Sequence, residues 1–160
     1  MNDDPGSHQQ AHERVKIRFP LSPEDSEEGV DAENLWAEDL GRGRFVVDSI
    51  PFYVYGVSNR DTVAASMIDD RLCFDQVVDR GGHSTYRVLV KDDAGYSGAD
   101  FKSLWEQLKG LTCSCEVARR RWIAIDVPAN ADADAVYGIL ESGQASGVWT
   151  FEEAHCGHPL

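Results

Sequence analysis

From Ser84 to His155 the apolar residues change period in a fixed order, and that order restricts the fold more than any other feature of the chain. "STYRVLVKD" (84–92) reads as a strand. "SGADFKSLWEQLKGL" (97–111) sets Phe101, Leu104, Trp105, Leu108 and Leu111 on one stripe of a helical period. Asp100 suits the first turn of that helix, where a carboxylate meets the positive end of the dipole, and Gly110 closes it. "CSCEVARRRWIAIDVP" supplies two strands, Cys113–Ala118 and Trp122–Val127, about a turn at Arg119-Arg120. "NADADAVYGILESGQ" (130–144) is a second helix, capped by Asn130 or Asp132, with Val136, Ile139 and Leu140 as its apolar face. "SGVWTFEEAH" (146–155) is a last strand. The order βαββαβ is that of a ferredoxin-like unit and predicts a sheet ordered 4-1-3-2 with both helices on one face.

Before residue 80 no helical period is found. "VKIRFPL" (15–21) alternates Val15, Ile17 and Phe19 against Lys16 and Arg18, a half-buried strand ended by Pro20. "SPEDSEEGVDAEN" (22–34) is an acidic loop, and a strand starts at Leu35. "RFVVDSIPFYVYGVS" supplies another strand with a bend at Ile50-Pro51, and two short strands flank Asp69-Asp70. Turn signals spaced about every 8–12 residues suit a small barrel or curled sheet. The predicted class is therefore α+β. A β-barrel-like subdomain covers residues 14–82 and a ferredoxin-like subdomain covers 83–156. Residues 1–13 are expected to be a disordered tail and 157–160 a short second tail. Gly81-Gly82 is the joint, because glycine tolerates the positive φ that a sharp turn requires.

Charge narrows the partners. The chain carries 28 acidic and 15 basic side chains, a formal net charge of −13. That sign repels phosphate, which argues against nucleic acid and against an anionic membrane surface, and it complements a basic protein partner. No stretch is long enough to cross a bilayer, and "MNDDPGSHQQAHER" lacks the apolar core of a secretory signal, so a cytoplasmic location is expected. In that reducing compartment Cys73, Cys113, Cys115 and Cys156 are expected as free thiols or metal ligands.

The candidate site is "RGGHSTYR" at the joint. Arg80 and Arg87 bring charge, and backbone N–H groups after a glycine turn can face an anion. His83 can move a proton near neutral pH, and Ser84 is the candidate nucleophile. On extended backbone His83, Thr85 and Arg87 share one face while Ser84 and Tyr86 share the other, so His83 and Ser84 do not pair directly. An acid such as Asp79 or Asp48 facing His83 would favour catalysis. Trp36, Tyr53 and Tyr55 are candidates to line a groove between the halves, which makes Arg80, His83, Ser84, Thr85, Arg87, Trp36 and Tyr53 the ligand-binding set. Cys113, Cys115, His155, Cys156 and His158 are zinc-type ligands. The predicted strand order sets them on opposite edges, roughly 14 Å apart, so no metal is expected, nor any other cofactor.

The segments "VKIRFPL", "LWAEDLGRGRFVVDSIPFYVYGVSNRDTV" and "GGHSTYRV" resemble the DUF4265 family of small bacterial proteins, from about residue 15 to 155. The resemblance implies a bacterial origin and one integrated domain. It implies no activity, cofactor or catalytic residue. The function expected from charge and size is that of a protein-binding module, an immunity-type protein or an accessory to a neighbouring enzyme. The alternative is a small enzyme or small-ligand binder with its site at Gly81–Arg87. A further alternative is RNA binding on the second sheet, which would require an uncovered apolar face bearing Trp122 or Tyr86. No pattern in the chain sets its oligomeric state.

Overall fold

The computed structural model describes residues 11–26, 29–91, 98–118 and 121–159. Residues 1–10 of the expected tail and the Arg119-Arg120 turn lie outside the described residues. The class is α+β, with nine described strands in two sheets and two helices.

The first sheet comprises β1 (Arg14–Pro20), β2 (Ala32–Gly41), β3 (Arg44–Val47), β4 (Thr62–Ile68) and β5 (Arg71–Asp79). Consecutive strands pair antiparallel, with Ile17 opposite Leu35, Ala37 opposite Val47 and Phe45 opposite Val63. The sheet closes on itself where Arg18 of β1 meets Cys73 of β5 in a parallel pairing. The period of two turns Ile17, Phe19, Leu35, Ala37, Val47 and Val63 inward as one buried cluster.

The segment expected to continue as strand after Val47 does not. Residues 48–61 run irregularly between β3 and β4. Pro51 has no N–H for a ladder. The Glu33 carboxylate instead accepts from the backbone N–H groups of Phe52, Tyr53 and Val54 at 2.7, 2.9 and 2.9 Å. One side chain thus supplies what a neighbouring strand would have given, and the segment is free to leave the sheet.

The second sheet contains β6 (Ser84–Val90), β7 (Ser114–Val117), β8 (Trp122–Val127) and β9 (Trp149–His155), in the order β7-β8-β6-β9 with every pairing antiparallel. Helices α1 (Ala99–Gly110) and α2 (Ala133–Ala145) pack on it. Phe101 and Leu108 of α1 and Val136 and Leu140 of α2 join Val88, Ile123, Ile125 and Trp149 in a second buried cluster. The predicted α1 stripe is otherwise half-buried against that cluster at Leu104, Trp105 and Leu111. The helix closes at Gly110, as expected. The cap is Leu111, and Thr112 takes the left-handed conformation at φ 68°. Asp132 caps α2, its carboxylate accepting from the Ala135 N–H at 3.0 Å.

Gly143 of α2 is placed where only hydrogen fits. A Cβ there would run into the indole of Trp149, whose Nε1 donates to the Leu140 carbonyl at 2.9 Å deep in the core. Gly143→Ala must push that indole off its partner. We expect a loss of about 1–3 kcal/mol in urea unfolding, and a loss under 0.5 kcal/mol would mean that Trp149 has room to move.

Candidate functional site

Strand β6 is buried on both faces along most of its length, and this makes the joint. Ser84, Tyr86, Val88 and Val90 face the helices. Thr85 and Arg87 face the irregular 48–61 segment of the first sheet. The alternation expected of a strand therefore sends two residue sets to two different environments.

On the Thr85 side the groups form a connected polar network. The hydroxyls of Ser58 and Thr85 lie 2.7 Å apart, both in residues with 0% exposure. Asp61, also 0% exposed, accepts from the Ser58 N–H (2.9 Å), the Gly81 N–H (2.9 Å) and Arg80 Nη1 (2.9 Å). Arg80 Nη1 also donates to the Gly56 carbonyl at 2.7 Å and lies 3.4 Å from His155 Nε2. Burial, reinforced by the Arg80 charge, holds the His155 imidazole below its ordinary range. Gly81 is forced here because a Cβ would strike the Arg60 backbone, and Gly82 supplies the positive φ of 84° that the turn requires.

His83 does face an acid, but it is Asp126 of β8, at 2.8 Å from Nδ1, rather than Asp79 or Asp48. Asp48 instead pairs with Arg14, and Asp79 lies 3.9 Å from Arg44. The Asp126 carboxylate also accepts from Asn59 Nδ2 at 3.2 Å, so the pair is tied back to the first sheet. Ser84 meets a different histidine. Its hydroxyl lies 2.6 Å from His158 Nδ1 and accepts from the Gly157 N–H at 2.9 Å. His158 Nε2 lies 2.9 Å from the Pro128 carbonyl, which can only accept. In the neutral ring this places the hydrogen on Nε2 and leaves Nδ1 to accept from Ser84. A nucleophile needs access to its substrate. Ser84 has 0% exposure, and the arrangement clamps residues 157–158 onto β6.

Arg87, 1% exposed, donates from Nε to Glu152 at 2.7 Å and from Nη1 to the Val54 carbonyl at 3.2 Å. Its guanidinium lies 4.3 Å over the Tyr55 ring, and the Tyr55 hydroxyl donates to Glu152 at 2.7 Å. Two shallow clefts of about 180 and 200 Å³ adjoin this triad and share Arg87, Trp122 and Glu152. Tyr53 and Tyr55 line the first of them. Trp36 does not join them. It sits on the outer face of β2 with Arg14 and Lys16 stacked over its ring at 4.7 and 4.8 Å. Trp122 is on the side of the second sheet away from the helices, whereas Tyr86 faces the helices.

The sulfur and imidazole groups divide as the strand order requires. Cys113 and Cys115 lie at β7, one edge of the sheet, and His155, Cys156 and His158 end β9, the other edge. Among the described residues no group of three or more His, Cys, Asp or Glu side chains gathers to hold a metal. Burial and the charge of Asp126 push the Cys113 thiol up to about 11, and burial raises Cys115, which disfavours the thiolate that a metal or an electrophile needs.

Local sequence gave little warning of Asp61, Asp126 or Glu33. Asp126 breaks the apolar run "WIAIDV", which is a signal that something buried must pair with it. Asp61 and Glu33 look like any turn or loop acid.

Residues 33–151 match the family model DUF4265, described as a domain of unknown function. No curated protein matches the chain. A solved structure described as a "novel crystal structure of a hypothetical protein from Neisseria gonorrhoeae" is similar over 94% of this chain and 99% of that one. Its TM-score is 0.74 at 19% identity, a likeness that speaks for the fold alone.

Two outcomes follow from this geometry. Asp61→Ala leaves two backbone donors and a guanidinium without their acceptor, and should cost about 3–5 kcal/mol in urea unfolding. A cost below 1 kcal/mol would remove Asp61 as the tie between the sheets. A histidine held below 6.5 in the folded state is charged more readily when unfolded, so it contributes stability above pH 6.5 that is lost as pH falls through its lowered value. Replacing His155 with Gln should therefore flatten the fall in stability between about pH 7 and 5, and an unchanged slope would contradict the assignment.

Proposed function

The chain belongs to the DUF4265 family, whose description assigns no activity, and from that premise we propose that it works by binding a protein partner rather than by catalysis. The observation that carries this reading is the tip of the β4–β5 hairpin. Met67 and Ile68 are 64% and 54% exposed there, beside Asp69 and Asp70 in left-handed backbone at φ 48° and 61°. That backbone is the usual two-residue hairpin turn between Ile68 and Arg71, and it holds both carboxylates at the tip next to the apolar pair. The β2–β3 tip lies alongside, its Gly43 carbonyl accepting from the Ala65 N–H at 3.2 Å, and exposes Leu40. An apolar pair capped by two carboxylates fits an apolar pocket rimmed by Lys or Arg, which agrees with the net charge of −13.

The same proposal includes a cytoplasmic location. Among the described residues no helix is long and apolar enough to cross a membrane. It also includes a division into a barrel-like subdomain over 14–82 and a ferredoxin-like subdomain over 83–156, favoured by the closed first sheet and by the order β7-β8-β6-β9 with two helices. The joint is read as structural, because Arg80, His83, Ser84, Thr85 and Arg87 all spend their hydrogen bonds inside the chain. The acidic excess continues to argue against RNA.

A photo-crosslinker placed at Met67 and expressed in the native host should give one protein adduct that a crosslinker at the exposed Glu141 of α2 does not. Asp69→Lys with Asp70→Lys should reduce the adduct at least about tenfold, as should raising the salt of a lysate capture to about 0.5 M. Equal labelling from both positions, or an adduct indifferent to the charge reversal, would overturn the reading.

A further inference from the structure

A cleft of about 320 Å³ opens on the helix side of the second sheet, between the first turn of α2 and the chain after β9. It is within the size range of small-molecule sites, roughly 300–1,000 Å³. Tyr86 and Tyr137 form its aromatic wall, with ring centroids 6.2 Å apart at 61°, and Phe151 braces both from behind at 6.4 and 5.6 Å. Glu153 and Asp134 place two carboxylates on its rim, and Cys156 and His158 complete it. Among the described residues no Lys or Arg lines it.

The bulge in the β6–β9 pairing between Thr85 and Tyr86 brings Glu153 opposite Tyr86, and the Tyr86 hydroxyl donates to the Glu153 carboxylate at 3.2 Å. The Ser84–His158 clamp holds the wall formed by residues 156–158 in place. The partial positive charge at the start of α2 is met within the helix itself. Asp132 takes the Ala135 N–H, and Asp134 sits in the first turn. Burial and the Glu153 charge raise the Tyr86 phenol well above its ordinary range, so the ring stays neutral; it is 3% exposed and backs Tyr137, whose 40% exposed ring can meet a cation.

We propose that this cleft is a binding site for a small organic ammonium ion, with Tyr137, backed by Tyr86, receiving the cation and its apolar body and Glu153, seconded by Asp134, supplying the counter-charge. The carboxylates exclude anions, and the net charge of −13 raises the local concentration of cations around the chain. The site stands apart from the β4–β5 tip and does not depend on the protein-partner reading.

The test uses the full chain and 2-phenylethylammonium as probe, followed by calorimetry and by amide shifts in ¹⁵N NMR. Saturable binding with a Kd below about 1 mM is expected, with shifts confined to residues near 133–137 and 153–158. The neutral isostere 2-phenylethanol should bind at least about tenfold more weakly, and the anion 3-phenylpropionate should not bind measurably. Glu153→Gln should weaken the ammonium at least about tenfold and Tyr137→Leu about threefold or more. Glu116→Gln, on the opposite edge strand, should leave its affinity unchanged. A melting temperature within about 2 °C of the parent shows that each variant is folded, and the ligand series on the parent protein decides the matter even if a variant does not fold. No saturation up to about 10 mM, equal binding of the alcohol or the carboxylate, or indifference to Glu153→Gln in a folded variant would each overturn the proposal.

Discussion

The carboxylate of Asp61 is the contact on which the joint depends. It has no exposed surface, and an ion in that position is tolerated only when donors surround it. Three converge on it: the N–H of Ser58, the N–H of Gly81 and the guanidinium of Arg80. Satisfying one carboxylate thus brings together the end of the irregular segment after β3 and the diglycine before β6. The same arginine reaches the Gly56 carbonyl, and Ser58, now positioned, meets Thr85. The first sheet is joined to the second by polar groups that would be costly to leave unpaired.

β6 converts this tie into an arrangement with two sides. Its helix-facing residues enter an apolar cluster with Leu108, Leu140 and Trp149, while Thr85 and Arg87 enter the polar seam. Arg87 can be buried because Glu152, the Val54 carbonyl and the Tyr55 ring take up its charge and donors. Where the first sheet no longer covers β6, Leu89 emerges to solvent. The residue types that looked most chemical in the chain are therefore those that hold its two sheets together. The two proposed recognition surfaces, the apolar, acid-capped tip of β4–β5 and the tyrosine-walled cleft beside α2, lie outside that seam.

Much of this was legible in the chain. The stripe Phe101–Leu108, the α2 cap to within Asn130 or Asp132, the strands about Asp69-Asp70 and the glycine turn at 81–82 all follow from periods and local backbone rules, which act over a few residues and leave their mark in order. So does the separation of Ser84 from His83, because adjacent residues of a strand face opposite ways. The irregular path of 48–61 was not legible. Its apolar residues read as strand, and the carboxylate that replaces the ladder belongs to Glu33, a strand away.

Local pattern, in short, settles which segments are strands or helices and which face of each is apolar, since those properties depend on near neighbours. The pairing of His83 with Asp126, of Ser84 with His158 and of Arg87 with Glu152 spans 43, 74 and 65 residues. No short-range rule carries that information. Such partners are chosen when the sheets close and buried polar groups must find donors and acceptors, which is a property of the packed chain as a whole.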